Sequence, residues 1–201
     1  WGGSPYNNTN PKAKDALPRI RQLIFEGKNK EAQELCGPPI CSPSTNGMPY
    51  QTVGSLHLDF DGISNYNDYY RDLDIAKAIA TTRFTTNGVT YTREAYTSFP
   101  DQVLVIRLTA SQKKSISFTA KYTTPYKSNV VRSISSRKEL QLSGKANDHE
   151  GIEGKVEFTA LTRIENNGGS LEATSDSTLQ VKNANSVTLY VSIGTNFVNY
   201  K

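Results

Sequence analysis

From Ile79 to Gln102 the chain alternates apolar and polar positions on either side of Asn87-Gly88. That pair suits a type I′ turn, because both central residues need positive φ. On the return run Val89, Tyr91, Ala95 and Phe99 share one face, and Thr90, Thr92, Glu94 and Ser98 the other. The pattern predicts a half-buried antiparallel strand. Beyond Phe99-Pro100-Asp101, the run Val103-Leu104-Val105-Ile106 is apolar on both faces, as in a strand covered on two sides. Period-2 alternation returns at Leu56/Leu58/Phe60, Leu73/Ile75, Ile116/Phe118/Ala120/Tyr122 and Val156/Phe158/Ala160. It is cleanest at Val187/Leu189/Val191/Ile193. Val130 to Leu142 holds a more weakly patterned hairpin, and Asn166-Asn167-Gly168-Gly169 is turn chemistry between strands.

Only the start of the chain departs from this. Ala13, Leu17, Ile20 and Ile24 fall at helical spacing, after Asn10 as N-cap and Pro11 at the first helical position. Pro18 lies inside that pattern, so the helix either kinks there or starts later. Gly27 ends it, and Lys28 to Leu35 predicts a second short helix closed by Gly37. The expected helical hairpin, at about residues 11–36, would serve as a lid over a sheet edge or as a loop crossover. No fixed-period repeat or composition shift divides the rest. Residues 1–201 therefore read as one mainly β, antiparallel domain with a short helical hairpin near the N-terminus.

Composition narrows the partners. The net charge of +4 is mild and its lysines and arginines are scattered, whereas a nucleic-acid surface concentrates them. No apolar run approaches the roughly 18 residues that span a bilayer. Neither nucleic acid nor membrane is an expected partner. The chain opens at Trp1 without Met and reads as a piece of something longer. Cys36 and Cys41 allow a small-loop disulfide or two free thiols; two ligands alone do not make a zinc site. Asn7-Asn8-Thr9 matches a glycosylation sequon.

Candidate chemistry is sparse. Asp59-Phe60-Asp61-Gly62 puts two carboxylates on one strand face beside His57, but lacks the remaining ligands of a calcium loop. Solvated strand-end acids are the plainer reading, and no metal or cofactor is expected. His57 and His149 sit in no hydrolase motif. Arg93-Glu94 is expected to pair across strands. Trp1, Tyr6, Tyr50, Tyr66, Tyr69 and Tyr70 lie in or beside predicted loops. Such rings can take the C–H face of a sugar, though tyrosine is also ordinary at sheet rims.

Several separated stretches carry more. They are Trp1-Gly2-Gly3-Ser4-Pro5, then Leu17-Pro18-Arg19-Ile20-Arg21-Gln22-Leu23-Ile24-Phe25-Glu26-Gly27-Lys28, and Tyr50-Gln51 with Gly54-Ser55-Leu56-His57-Leu58-Asp59-Phe60. Tyr69-Tyr70-Arg71-Asp72-Leu73-Asp74-Ile75, Gly88-Val89-Thr90-Tyr91-Thr92-Arg93-Glu94 and Phe99-Pro100-Asp101-Gln102-Val103 continue the series. In order and spacing they resemble the N-terminal β domain of glycoside hydrolase family 95, whose best-known members are 1,2-α-L-fucosidases, with some α-L-galactosidases.

The resemblance implies an antiparallel β-sandwich of the supersandwich, galactose-mutarotase-like kind. It also implies an inverting hydrolase whose acid and water-activating residues lie in an (α/α)6 barrel of the same polypeptide, so no catalytic residue maps onto this chain. Members of the family usually carry two further strands ahead of the Trp-Gly-Gly loop, which leaves an expected open sheet edge here. The chain is expected to be a noncatalytic module, inactive alone, that packs on the barrel and shapes the substrate cleft. If oligosaccharide is touched, Trp1, Tyr50 and Gln51 are the candidate contacts. The rivals are an autonomous carbohydrate-binding module for fucosylated or galactosylated glycans, and a self-sufficient hydrolase using Asp59, Asp61 or Glu94. A periplasmic or secreted location follows from the family's glycan-scavenging role.

Overall fold

The computed structural model describes residues 2, 6–42, 47–50, 52–63, 65–127, 130–136 and 138–199. The chain divides into two compact units, one of Thr52–Lys145 with Val156–Phe197, the other of Trp1–Gln51, Ala146–Lys155 and Val198–Lys201.

Among the described residues the larger unit holds twelve strands: β1 Ser55–Asp59, β2 Asn67–Asp74, β3 Ile79–Thr86, β4 Val89–Ser98, β5 Val103–Ala110, β6 Ile116–Thr123, β7 Val130–Ile134, β8 Glu139–Lys145, β9 Glu157–Asn167, β10 Ser170–Ser175, β11 Thr178–Ala184 and β12 Ser186–Thr195. They form two antiparallel sheets, an eight-stranded one in the order β2-β3-β4-β5-β12-β9-β8-β7 and a four-stranded one in the order β1-β6-β11-β10. The β3–β4 hairpin closes at Asn87 and Gly88 with φ of 49° and 74°, the left-handed conformation its sequence calls for.

A sandwich forms because each sheet has one apolar face. On β6 the alternation Ile116, Phe118, Ala120, Tyr122 points all four side chains inward. Leu179, Val181 and Ala184 of β11 join them. Facing them are Leu108 of β5, Val187 and Leu189 of β12, Phe158, Ala160 and Ile164 of β9, and Leu140 and Leu142 of β8. Each large side chain removed from water in this way stabilises the fold by about 1.5–3 kcal/mol. Inside the core the Tyr122 and Thr162 hydroxyls hydrogen-bond at 2.5 Å, joining the two sheets through polar groups that would otherwise be stranded. Gly144 of β8 lies under the Phe158 ring, and a Cβ there would sit 2.6 Å from its Cζ, so glycine is needed for the close approach.

Four strands cannot cover eight. At about 4.8 Å per strand the large sheet spans about 34 Å between its outer axes, and the small sheet about 14 Å. On the large sheet the fully buried core residues come from β5, β12, β9 and β8, with Tyr91 of β4 packed against them. The β2–β3–β4 wing projects past them, and β2 is exposed along nearly its whole length.

In the smaller unit, α1 (Ala13–Phe25) and α2 (Asn29–Leu35) form the expected helical hairpin. The first helix passes through Pro18 and ends in a Schellman motif, with Gly27 N–H donating to Ile24 and Lys28 N–H to Leu23. Its buried stripe is Ala16, Ile20 and Leu23, against Ala32, Leu35 and Ile40. That stripe is rotated from the sequence expectation, which placed Leu17 and Ile24 inside; both are exposed. The Asn10 side chain fixes the hairpin's two ends, donating to Pro38 O and Cys41 O while accepting the Lys12 N–H.

Truncating Leu189, which is fully enclosed, to Ala is expected to lower stability by about 2–5 kcal/mol in urea denaturation. Replacing Tyr122 by Phe strands Thr162 and is expected to lower it by about 1–3 kcal/mol. Burial holds the Tyr122 phenol above its ordinary range, with the Thr162 hydrogen bond partly opposing. Its contribution is therefore complete below the ordinary phenol range near 10 and is lost as pH climbs through it toward the raised folded value. Alkaline denaturation should thus be shallower in Tyr122→Phe than in the parent.

Candidate functional site

Two grooves mark the faces of the large sheet. The outer one, of about 610 Å³, crosses β4, β5, β12, β9 and β8. Tyr96 and Tyr190 flank Val105, since all three occupy one cross-strand row. Along the rim the Arg163 guanidinium, in register with Glu139, donates through Nη2 at 2.7 Å and Nε at 2.9 Å to the same carboxylate oxygen. Asp101, Glu165, Ser98 and Ser192 complete a polar margin around an apolar floor.

The inner groove, of about 550 Å³, lies on the inward face of the β2–β3–β4 wing. Its floor is the inward row of three neighbouring strands: Arg71 of β2 opposite Thr82 of β3, opposite Arg93 of β4. Two residues along, Phe84 stacks on Tyr91, with centroids 5.4 Å apart and planes at 17°. Tyr66 leans on both Phe84 and Tyr69. Small side chains, Ala80 and Ala95, form the opposite end. The half-buried Arg93 stands over the Phe60 ring at 5.9 Å, and its Nε finds no hydrogen-bond partner. Burial pushes that guanidinium's pKa down and the nearby Tyr69 phenol pushes it up.

Of Arg93 and Glu94, expected to pair across strands, Glu94 has a cation in register on the neighbouring strand, Arg107, whereas Arg93 has no acid in register. Their side chains leave opposite faces, Arg93 between Thr82 and Leu108 and Glu94 between Thr81 and Arg107. Asp59 is engaged by Lys121 at 2.6 Å, which holds its carboxyl below the usual range. His57 Nε2 hydrogen-bonds the Thr123 hydroxyl. Among the described residues, no three His, Cys, Asp or Glu side chains gather as a metal-ligand set. Cys36 and Cys41 are exposed free thiols. Of the three expected sugar contacts, Tyr50 is exposed in the smaller unit, while Trp1 and Gln51 lie outside the described residues. Tyr69 and Tyr70, expected in or beside loops, sit within β2.

Over residues 1–200 the chain matches the family described as "Glycosyl hydrolase family 65, N-terminal domain". The chain belongs to that family. This N-terminal domain is 29% identical, over 98% of its length, to 25% of Alpha-L-fucosidase 2 of Arabidopsis thaliana. It is 31% identical over 55% of its length to 14% of Probable alpha-fucosidase A of Aspergillus niger, and 24% identical over 98% to 27% of the protein of the same name in Aspergillus oryzae. The family-95 resemblance and the family-65 description meet in the same kind of N-terminal glycoside hydrolase domain, and the relatives carry fucosidase names. At most about a quarter of each relative's length is spanned.

Both grooves escaped the sequence reading, and the inner one had a signal. Arg93 has the same parity on β4 as Val89, Tyr91 and Ala95, so a cation occupies an inward position of this N-terminal domain's central hairpin. At the outer groove, Glu139 is nearly enclosed while Arg163 is half exposed. A double-mutant cycle on the two, read by urea denaturation, is expected to give a coupling of about 0.5–1 kcal/mol that shrinks in high salt.

Proposed function

We propose that this is the noncatalytic N-terminal sandwich of an α-L-fucosidase-like glycoside hydrolase, packing on an (α/α)6 catalytic barrel of the same polypeptide and shaping one wall of its substrate cleft. The observation that carries the reading is the alignment of 98% of the chain with a quarter of an α-L-fucosidase, which leaves most of that protein to hold the reacting groups. Electrostatics agree with it. Leaving-group protonation in glycoside hydrolysis needs a carboxylic acid whose pKa is raised. Asp59, one of the acids a self-sufficient hydrolase would use, is shifted the opposite way by Lys121. Glycans of this kind are met outside the cytoplasm, so a periplasmic or secreted location belongs to the same proposal. The second reading, an autonomous module for fucosylated or galactosylated glycans, is favoured by the outer groove, where the Tyr96 and Tyr190 rings adjoin hydrogen-bonding groups.

The chain alone is expected to release no fucose or galactose from aryl glycosides or fucosylated oligosaccharides, while the polypeptide extended through its C-terminal remainder does so. Hydrolysis by the chain itself, abolished by Asp59→Asn, Asp61→Asn or Glu94→Gln, would overturn the proposal. Saturable calorimetric binding of a neutral fucosylated oligosaccharide, lost in Tyr96→Ala, would move the reading to the binding module.

A further inference from the structure

The inner groove has a composition that the noncatalytic role does not call for. Arg71, Thr82 and Arg93 form one row of donors across three strands, on a single face. Among the described residues that line the groove none is acidic. A guanidinium keeps its charge, and Arg93 carries one part-way into an aromatic setting with Nε buried and unbonded. Such a group is costly to leave without an acceptor. The neighbouring aromatic row is about 7 Å away, two residues at about 3.4 Å each, a separation on the scale of one sugar residue. Tyr66 and Tyr69 remain more than half exposed there, so their faces are open to a ligand.

We propose that the groove on the inner face of the β2–β3–β4 wing binds an anionic saccharide, a sugar bearing a carboxylate or a sulfate. Its acid group meets the Arg71–Thr82–Arg93 row, and the C–H face of its ring lies on Tyr66 and Tyr69. Arginine is the side chain suited to both ends of that arrangement, because its planar fork matches the oxygens of either anion while its face stacks on an aromatic ring. Tyrosines beside a donor row, in a domain of a glycoside hydrolase family, favour a saccharide over an acidic peptide.

Calorimetric titration of the chain with an oligogalacturonate, a sulfated fucose oligosaccharide and a neutral fucosylated oligosaccharide tests this. Saturable binding of at least one of the two anionic sugars is expected, and which of them binds tells carboxylate from sulfate. Affinity should fall as sodium chloride is raised. Arg93→Gln, Arg71→Gln and Tyr69→Ala should each weaken it at least tenfold, and Arg107→Gln on the opposite face should leave it unchanged. Arg71 is exposed on the edge strand, so Arg71→Gln reads binding even where Arg93→Gln disturbs folding. No saturable binding of either anionic sugar at millimolar concentration would overturn the proposal. So would binding that survives both Arg71→Gln and Tyr69→Ala, or an equal affinity for a glutamate-rich peptide. Because the readout is binding and involves no hydrolysis, this site and the noncatalytic role can fail separately.

Discussion

The structure depends on one mismatch, a four-stranded sheet closing on an eight-stranded one. Burying apolar surface drives the closure, and its pivot is β6, where Phe118 and Ile116 are fully enclosed and Tyr122 reaches across to Thr162. An inner face half as wide as its partner protects only part of it. The wing of β2, β3 and β4 is consequently left to find another way of handling its inward side chains. It does so with aromatic rings that shelter one another, Phe84 on Tyr91 and Tyr66 against both Phe84 and Tyr69, in place of an aliphatic core. Tyrosine fits this position because its ring is apolar and its hydroxyl tolerates water.

The two faces of the large sheet then treat charge differently. On the outer face Arg163 meets Glu139 through two donors, and the pair is locally neutral. On the inner face Arg93 has the Phe60 ring beneath it and no partner for Nε, while Arg71 adds a second cation in the same row. A cation–π contact is worth about 0.5–2 kcal/mol, less than burying an unpaired donor on a charged group can cost. Packing alone therefore gives a weak account of Arg93. The imbalance has a local origin, because the strand parity that places Tyr91 and Ala95 inward places Arg93 inward too.

Legibility in the sequence followed how strongly local chemistry constrained each element. The β3–β4 hairpin was readable because Asn87-Gly88 has few other uses between alternating runs. Strands β6 and β12 were readable because each presents four apolar residues at period 2. The Asn166–Gly169 turn implies a strand after it, where β10 starts, but the pattern of β10 and β11 themselves is weak. Leu171-Glu172-Ala173-Thr174-Ser175 is a polar edge strand interrupted by a bulge, and only Leu179 and Val181 hint at its partner. Helix α1 was placed correctly but turned too far, since its hydrophobic positions allow two overlapping stripes and contact with Ala32 and Leu35 selects one. The inner groove was missed for a different reason. Its signal is Arg93, the one charged residue on the apolar face of β4, and a single charge inside an alternating run leaves the strand pattern intact.

The two faces and their charges bear on what chemistry these strands can do. An acid that protonates a leaving group must hold its proton near neutral pH, which requires a poorly solvated carboxyl kept away from cations. Two ion pairs of this domain do the reverse: Lys28 holds the Glu26 carboxyl below its usual range, and Lys121 does the same for Asp59. What these strands offer instead is placement. Side chains on paired strands are held in rows by the ladder, so Arg71, Thr82 and Arg93 keep their spacing without help from a ligand. A preformed row orders no loop when it is filled, which lowers the entropic cost of binding. Rigidity of this kind suits a docking surface for the proposed saccharide, whose acid group would meet a row already in place.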